Sequence, residues 1–327
     1  MEAGQHGKAH HMKALVTGAG GFLGRALCKA LLAGDWEVVG VGQREAPLIL
    51  ADLRGLTWIV KDLSCEILSP GDVEGVDILF HLAAVLKAQG PSPDLEFLKA
   101  NSVASFNVFQ ACAPSVSRMI YASTQMVYGD PNSLSVDESY PIDAEMTCYG
   151  LSKWHGENWL KYFHLRRRWG SAFILRFPGF IESEDSIFSY LITSAKANRP
   201  IELFSMGEVC RDYLSVPDAL QAFFAAATVS EKKTSHRQAS ALVYNIGSGN
   251  CVRMLDLARA VCDLLGSSSA IVPVSTAAPR SNFVFNINKA RSELSFVPTA
   301  LLSALTTFVK NMFLPCHLPL IILGIFR

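Results

Sequence analysis

The sequence predicts an α/β fold, a doubly wound parallel sheet with a smaller lobe interleaved from the C-terminal half. Three observations carry that reading. Lys13 to Gly24, reading KALVTGAGGFLG, joins a short apolar run to a helical pattern through a glycine-rich turn. Apolar runs of strand length then alternate with helix-length segments as far as Arg176. Such uninterrupted strands with helices between them describe a parallel sheet covered on both faces. Beyond Arg176 the alternation loosens, because Pro178, Gly179, Pro200 and Gly207 break the chain into short pieces.

The elements follow in order. Ala14 to Thr17 is the first strand, and a helix runs from Phe22 to Ala33. Strands are expected at 36–41, at 57–60 before Lys61-Asp62, and at 76–82 before Ala83-Ala84. A single helix is expected from Pro93 to Ala113, a fifth strand over 118–123, a long helix from Cys148 to Arg168 and a sixth strand over 172–176. A strand at 243–246 and a helix at 254–265 belong to the later part. The dinucleotide-type domain is expected over 12–176 plus roughly 212–247, and the smaller lobe over 177–211 and 248–311. Residues 1–12 read as a polar tail, and Lys232 to Ser240 as a polar surface loop.

Composition narrows the function. The chain has 327 residues, is half hydrophobic and carries a formal net charge of zero. That leaves no basic surface to attract nucleic acid. The eight cysteines show no C-x-x-C pair and no metal-ligand spacing. They read as reduced thiols of a cytoplasmic protein with no metal site. The stretch 312–327 is almost wholly apolar but carries Pro315, His317 and Pro319. It is shorter than the roughly 18–20 residues of a spanning helix. It reads as a tail packed on the body, with a partner or membrane-surface contact and a disordered extension as alternatives.

Ligands in such sheets bind beyond the carboxyl ends of the strands. The glycine turn, Asp62, Ala83-Ala84 and Ser123-Thr124 fall at those ends. Gly18, Gly21 and Gly24 are spaced three apart. In the physics of a dinucleotide fingerprint, the first allows a sharp turn, the second leaves room for a pyrophosphate at the helix start, and the third lets helix and strand pack closely. Tyr149 and Lys153 stand at i and i+4, on one face of a helix. An ammonium beside a phenol lowers its pKa and suits it to proton transfer. A hydroxyl of Ser123-Thr124, at the end of the fifth strand, can bridge the tyrosine and a reacting oxygen.

Taken together, these motifs resemble the extended short-chain dehydrogenase/reductases, the NAD(P)-dependent epimerases and dehydratases, over about residues 13 to 311. Further marks are Asp62-Leu63, His81 to Ala84, Asn101 to Asn107, Tyr121 to Gly129, Glu157, Arg176, Arg211 to Asp218 and Tyr244 to Gly249. The resemblance implies a Rossmann-type domain with a substrate lobe, a homodimer, and a small-molecule substrate of nucleotide-sugar type. It implies Tyr149 as acid/base, Lys153 on the nicotinamide ribose and Thr124 on the substrate oxygen, with Gln125 beside it. Cofactor contacts fall to Gly18, Gly21, Phe22, Leu23, Gly24, Asp62 and Leu63, and to Leu82, Ala83 and Ala84 on the ribose side. Arg211 matches the arginine that grips a diphosphate, for which a guanidinium is suited.

Three departures qualify the resemblance. Thr124 is followed by Gln125-Met126, where dehydratases carry an acid pair, so water elimination is disfavoured. The second strand ends Gly42-Gln43-Arg44 without a carboxylate, so Arg44 tilts the cofactor from NAD toward NADP. Arg176-Phe-Pro-Gly179 lacks the asparagine that often follows this arginine in enzymes acting on sugar nucleotides. A hydride transfer at a sugar C–OH/C=O, as a 4-epimerase or 4-ketoreductase, is therefore expected. The alternatives are a reductase of an apolar alcohol or ketone, and a non-catalytic cofactor-binding protein.

Overall fold

The computed structural model describes residues 11–88, 91–142, 146–167, 170–230, 241–275 and 281–312. Seven strands form the main sheet: β1 (Lys13–Thr17), β2 (Glu37–Gly42), β3 (Leu56–Val60), β4 (Ile78–His81), β5 (Arg118–Thr124), β6 (Ser171–Phe177) and β7 (Leu242–Asn245). Their order is β7-β6-β5-β4-β1-β2-β3, and every pairing is parallel. The order reverses at β1, which is where a doubly wound sheet opens its ligand crevice. The expected fold class is therefore the observed one.

Both faces are covered. Helices α1 (Phe22–Ala33) and α4 (Val216–Thr228) pack with Ala14, Val16, Phe80 and Phe223 on one side. Helices α2 (Ala104–Cys112) and α3 (Cys148–Arg167) pack with Leu15, Leu79, Phe109 and Ile174 on the other. Leu15 and Val16 point to opposite faces and both are fully buried. Burying each such side chain contributes roughly 1.5–3 kcal/mol. The edge strand β3 is different, with Val60 47% exposed.

A second cluster holds Ile181, Phe188, Leu191, Leu203, Leu257, Val261 and Leu305. It lies between the helices Ile187–Lys196, Met254–Leu265 and Leu301–Asn311. Phe283, Phe285 and Phe296 instead join the sheet cluster that holds Val16.

Two expectations change, and others fall outside the described residues. The helix expected from Pro93 to Ala113 is divided into Pro93–Phe97, a π-type stretch Leu98–Val103, and α2. Asn101 lies inside the wide turn and spends its side chain on Val85 and Ser152 rather than on solvent. Such single π turns commonly mark functional sites. Next, the cysteines are not all thiols: Cys210 and Cys251 form a disulfide, with Cα atoms 5.4 Å apart. The antiparallel pairing of Cys210–Arg211 with Val252–Arg253 brings the two together across 41 residues of sequence, which spacing alone does not reveal. Finally, the tail 313–327, residues 1–10 and the loop 231–240 lie outside the described residues. Among the described residues, no helix is long and apolar enough to cross a membrane, and no cluster of His, Cys, Asp or Glu could hold a metal ion.

Candidate active site

The carboxyl ends of β1, β2, β4 and β5 open into a cleft of 790 Å³. The glycine turn forms its floor. Gly18 adopts φ +68°, and a Cβ there would meet the Ala83 nitrogen at 2.7 Å. A Cβ on Gly24 would run into the Gly18 carbonyl. No other residue lets β1, β4 and α1 approach this closely. Gly21 is the N-cap of α1, with no side-chain cap and no acidic residue in the first turn. Gly21, Phe22 and Leu23 line the cleft, so the positive end of the helix is available to an anion. A diphosphate fits this cradle.

The flanks match the rest of a dinucleotide. Asp62 accepts hydrogen bonds from Ser64 Oγ (2.7 Å), Ser64 N (3.0 Å) and Gln43 Nε2 (3.2 Å). These bonds, chiefly that of the Ser64 hydroxyl, hold its carboxyl below the usual range. Leu63 is anchored through its carbonyl by Asn107 Nδ2 at 2.9 Å. Arg44 is exposed at the mouth, and its carbonyl accepts from Trp58 Nε1 at 2.9 Å. Leu82, Ala83 and Ala84 form the wall opposite.

Thr124, Tyr149 and Lys153 converge on the far side of the same cleft. Thr124 ends β5 and caps the turn 125–128, accepting from Met126 N at 3.2 Å. Its side chain neighbours the Tyr149 phenol and pulls that phenol's pKa down. Burial pushes that phenol up to about 12, against the pull of Thr124. Burial also brings the Lys153 amine down to about 7, with Glu157 opposing. The expected depression of the tyrosine by its lysine does not appear: both groups are desolvated, and burial disfavours the charged form of each. Lys153 Nζ sits 4.2 Å over the Tyr121 ring.

Behind this group runs a buried polar chain. Glu157, one turn beyond Lys153, accepts from Ser123 Oγ (2.6 Å), Arg176 Nε (2.8 Å) and Arg176 Nη2 (2.6 Å). Arg176 Nη1 donates to the Tyr128 hydroxyl (2.6 Å), which donates to Asn245 Oδ1 (2.8 Å). Arg176 is spent inside the protein. Gly179, which stands where the asparagine is absent, pairs with Tyr213, and a Cβ there would come within 3.3 Å of the ring. His81 is also structural. Ser105 donates to the Asn101 carbonyl, so it accepts from His81 Nε2 at 2.9 Å, leaving Nδ1 to accept from Thr17 at 2.6 Å. Burial keeps this imidazole neutral.

Residue-type reasoning overlooked the support of the site. Asn101 accepts from Val85 N (2.7 Å) and donates to Val85 O (3.0 Å) and Ser152 Oγ (2.9 Å). Ser152 in turn donates to the Tyr149 carbonyl (2.8 Å). One amide thus ties the cleft wall to α3. Its signal was the Asn101/Asn107 pair, visible in sequence but without an assigned role. Arg211 lies half-buried on the strand Cys210–Arg211 and is not among the residues lining the cleft. Neighbouring Asp212 receives Ser248, Gly249 and Phe285. Gln125 does line the cleft, and its Oε1 is buried without a hydrogen-bond partner. Leaving such an acceptor unsatisfied costs about 1–3 kcal/mol.

Comparison with known proteins agrees with this geometry. The family model of the NAD dependent epimerase/dehydratase family matches residues 14–247. The chain is 28% identical over 322 residues to an uncharacterized UDP-glucose epimerase, YtcB, of Bacillus subtilis (strain 168), covering 92% of this chain and 98% of that one. It is 26% identical over 316 residues to the UDP-glucose 4-epimerase of Corynebacterium glutamicum, covering 88% and 91%. The solved structure of MoeE5 in complex with UDP-glucose and NAD superposes with a TM-score of 0.77 at 26% identity, covering 92% and 99%. MoeE5 has also been solved with UDP-glucuronic acid and NAD. The chain belongs to the NAD dependent epimerase/dehydratase family and is an enzyme of the extended short-chain dehydrogenase/reductase type.

Proposed function

We propose that the protein is a nucleotide-sugar 4-epimerase. The observation that carries this reading is the convergence of Thr124, Tyr149 and Lys153 on the cleft that the glycine turn floors. A nicotinamide dinucleotide held there supplies the acceptor, and then the donor, of the hydride at C4. The chain's own residues handle the oxygen. The Thr124 hydroxyl orients the C4 hydroxyl. Tyr149 Oη takes the C4 proton as the alcohol becomes a ketone, and returns it when the alcohol re-forms with the opposite configuration. Lys153, once protonated, supplies the charge that makes a phenolate accessible in a buried site. Gln125 and Met126 carry no titratable group, which supports epimerisation over loss of water.

The choice of dinucleotide has an observation on each side. Arg44 at the mouth, following Gly42 and Gln43 rather than a carboxylate, supports NADP. The NAD in the MoeE5 complexes supports NAD. A homodimer is supported by apolar side chains left exposed on the segments flanking the cleft: Leu95, Leu98 and Val103 on the divided helix, and Leu151, Tyr162 and Leu165 on α3. The function is tested by denaturing the purified protein, identifying the released nucleotide, and following UDP-glucose by product analysis. The reading requires a retained nicotinamide nucleotide and formation of the 4-epimer without added cofactor. Consumption of added NADPH with a reduced product would replace it with a reductase.

A further inference from the structure

Gln125 carries an inference that rests on the nucleotide-sugar reading and goes beyond it. The residue opens the turn 125–128 directly after Thr124, and its side chain faces the cleft. Its Oε1 is buried and unpartnered among the described residues. Native proteins rarely leave such an acceptor unmet, so its position calls for a donor that arrives with the substrate. Because Gln125 adjoins the residue that orients the C4 oxygen, it is placed for a group on a neighbouring ring carbon.

The surroundings decide what that group is. The walls at this end are Val85, Leu86, Met126, Phe177, Pro178 and Phe180, none of them charged. The charged lining residues Arg44, Glu45, Lys61 and Asp62 belong to the β2 and β3 end, and Lys153 sits under the tyrosine. Lys87, next in sequence to the lining residue Leu86, is paired with Asp185 at 2.7 Å. An anion at this end would be desolvated between apolar walls with no lining cation beside it, and the neutral amide of Gln125 brings no charge to offset that cost.

We infer that Gln125 sets substrate specificity, accepting a hydrogen bond from the neutral hydroxymethyl group on C5 and turning away a carboxylate in that place. MoeE5, solved with both the neutral and the acidic sugar nucleotide, leaves the choice to this chain's own residues.

The test compares kcat/KM for UDP-glucose, UDP-glucuronic acid and UDP-xylose, which has no C5 substituent, in the wild type and in Gln125→Leu. The wild type is expected to favour UDP-glucose over UDP-glucuronic acid at least tenfold. Gln125→Leu should lose about tenfold on UDP-glucose, the size of one neutral hydrogen bond, and less than twofold on UDP-xylose. The pentose also serves as the folding control. Equal losses on both neutral sugars, or a wild type that prefers UDP-glucuronic acid, would overturn the inference while leaving the epimerase reading intact. A wild type that turns over none of the three would overturn both.

Discussion

The buried pair behind the catalytic helix makes a quantitative prediction. Arg176→Met removes two of the three hydrogen bonds that Glu157 receives at 2.8 Å or less, leaving that of Ser123 and the longer 3.9 Å pairing with the Lys161 ammonium. Glu157 is fully buried and Arg176 is 3% exposed, so water cannot replace the lost partners. Two charge-assisted bonds at roughly 1.5–3 kcal/mol each give about 3–6 kcal/mol. Breaking one side of a buried ion pair typically costs about 3–5 kcal/mol. Either figure is a large part of a stability of about 5–15 kcal/mol. Urea midpoints at constant slope read the loss. The double variant Glu157→Leu/Arg176→Met should regain at least about 2 kcal/mol relative to Arg176→Met, since it removes the stranded charge. A single variant costing under about 1 kcal/mol, or a double variant with merely additive losses, would refute the reasoning.

Two further predictions concern the catalytic helix and the exposed apolar segments beside it. The folded state holds the Lys153 amine at about 7, below its value in the unfolded chain. The unfolded chain therefore binds more protons between pH 7 and pH 10, and stability rises with pH across that window. Thermal or urea unfolding of wild type against Lys153→Met should show that rise shrinking in the variant; identical pH slopes would contradict the assignment. Light scattering should give twice the chain mass, and Leu98→Asp with Leu165→Asp should shift it to the monomer. A wild-type monomer would refute the dimer.

How much was legible in advance differs by kind of feature. Apolar runs at strand spacing determine β1, β4 and β6, because a strand buried on both faces has no polar alternation to disguise it. The helix Met254–Leu265 was read with its final bounds. What eluded the residue pattern depends on distant contacts. The π turn at Leu98–Val103 carries Asn101, whose side chain reaches Val85 and Ser152 on other segments. The Cys210–Cys251 bridge needs a strand pairing across the second lobe. The Arg176–Glu157 pair joins a strand to a helix. The Tyr149 and Lys153 positions were readable from their i, i+4 spacing, but the direction of the phenol's pKa was not. The burial of this phenol, which the i, i+4 spacing does not show, pushes it up instead.

The account's central claim is that Tyr149 moves the C4 proton within a cleft that already holds its dinucleotide. The most direct test is the rate of UDP-glucose to UDP-galactose conversion by Tyr149→Phe, measured with its retained nucleotide and thermal midpoint. The account predicts a loss of roughly 10²–10⁴-fold with nucleotide content and midpoint unchanged. A Tyr149→Phe variant that converts the sugar at the wild-type rate would contradict it.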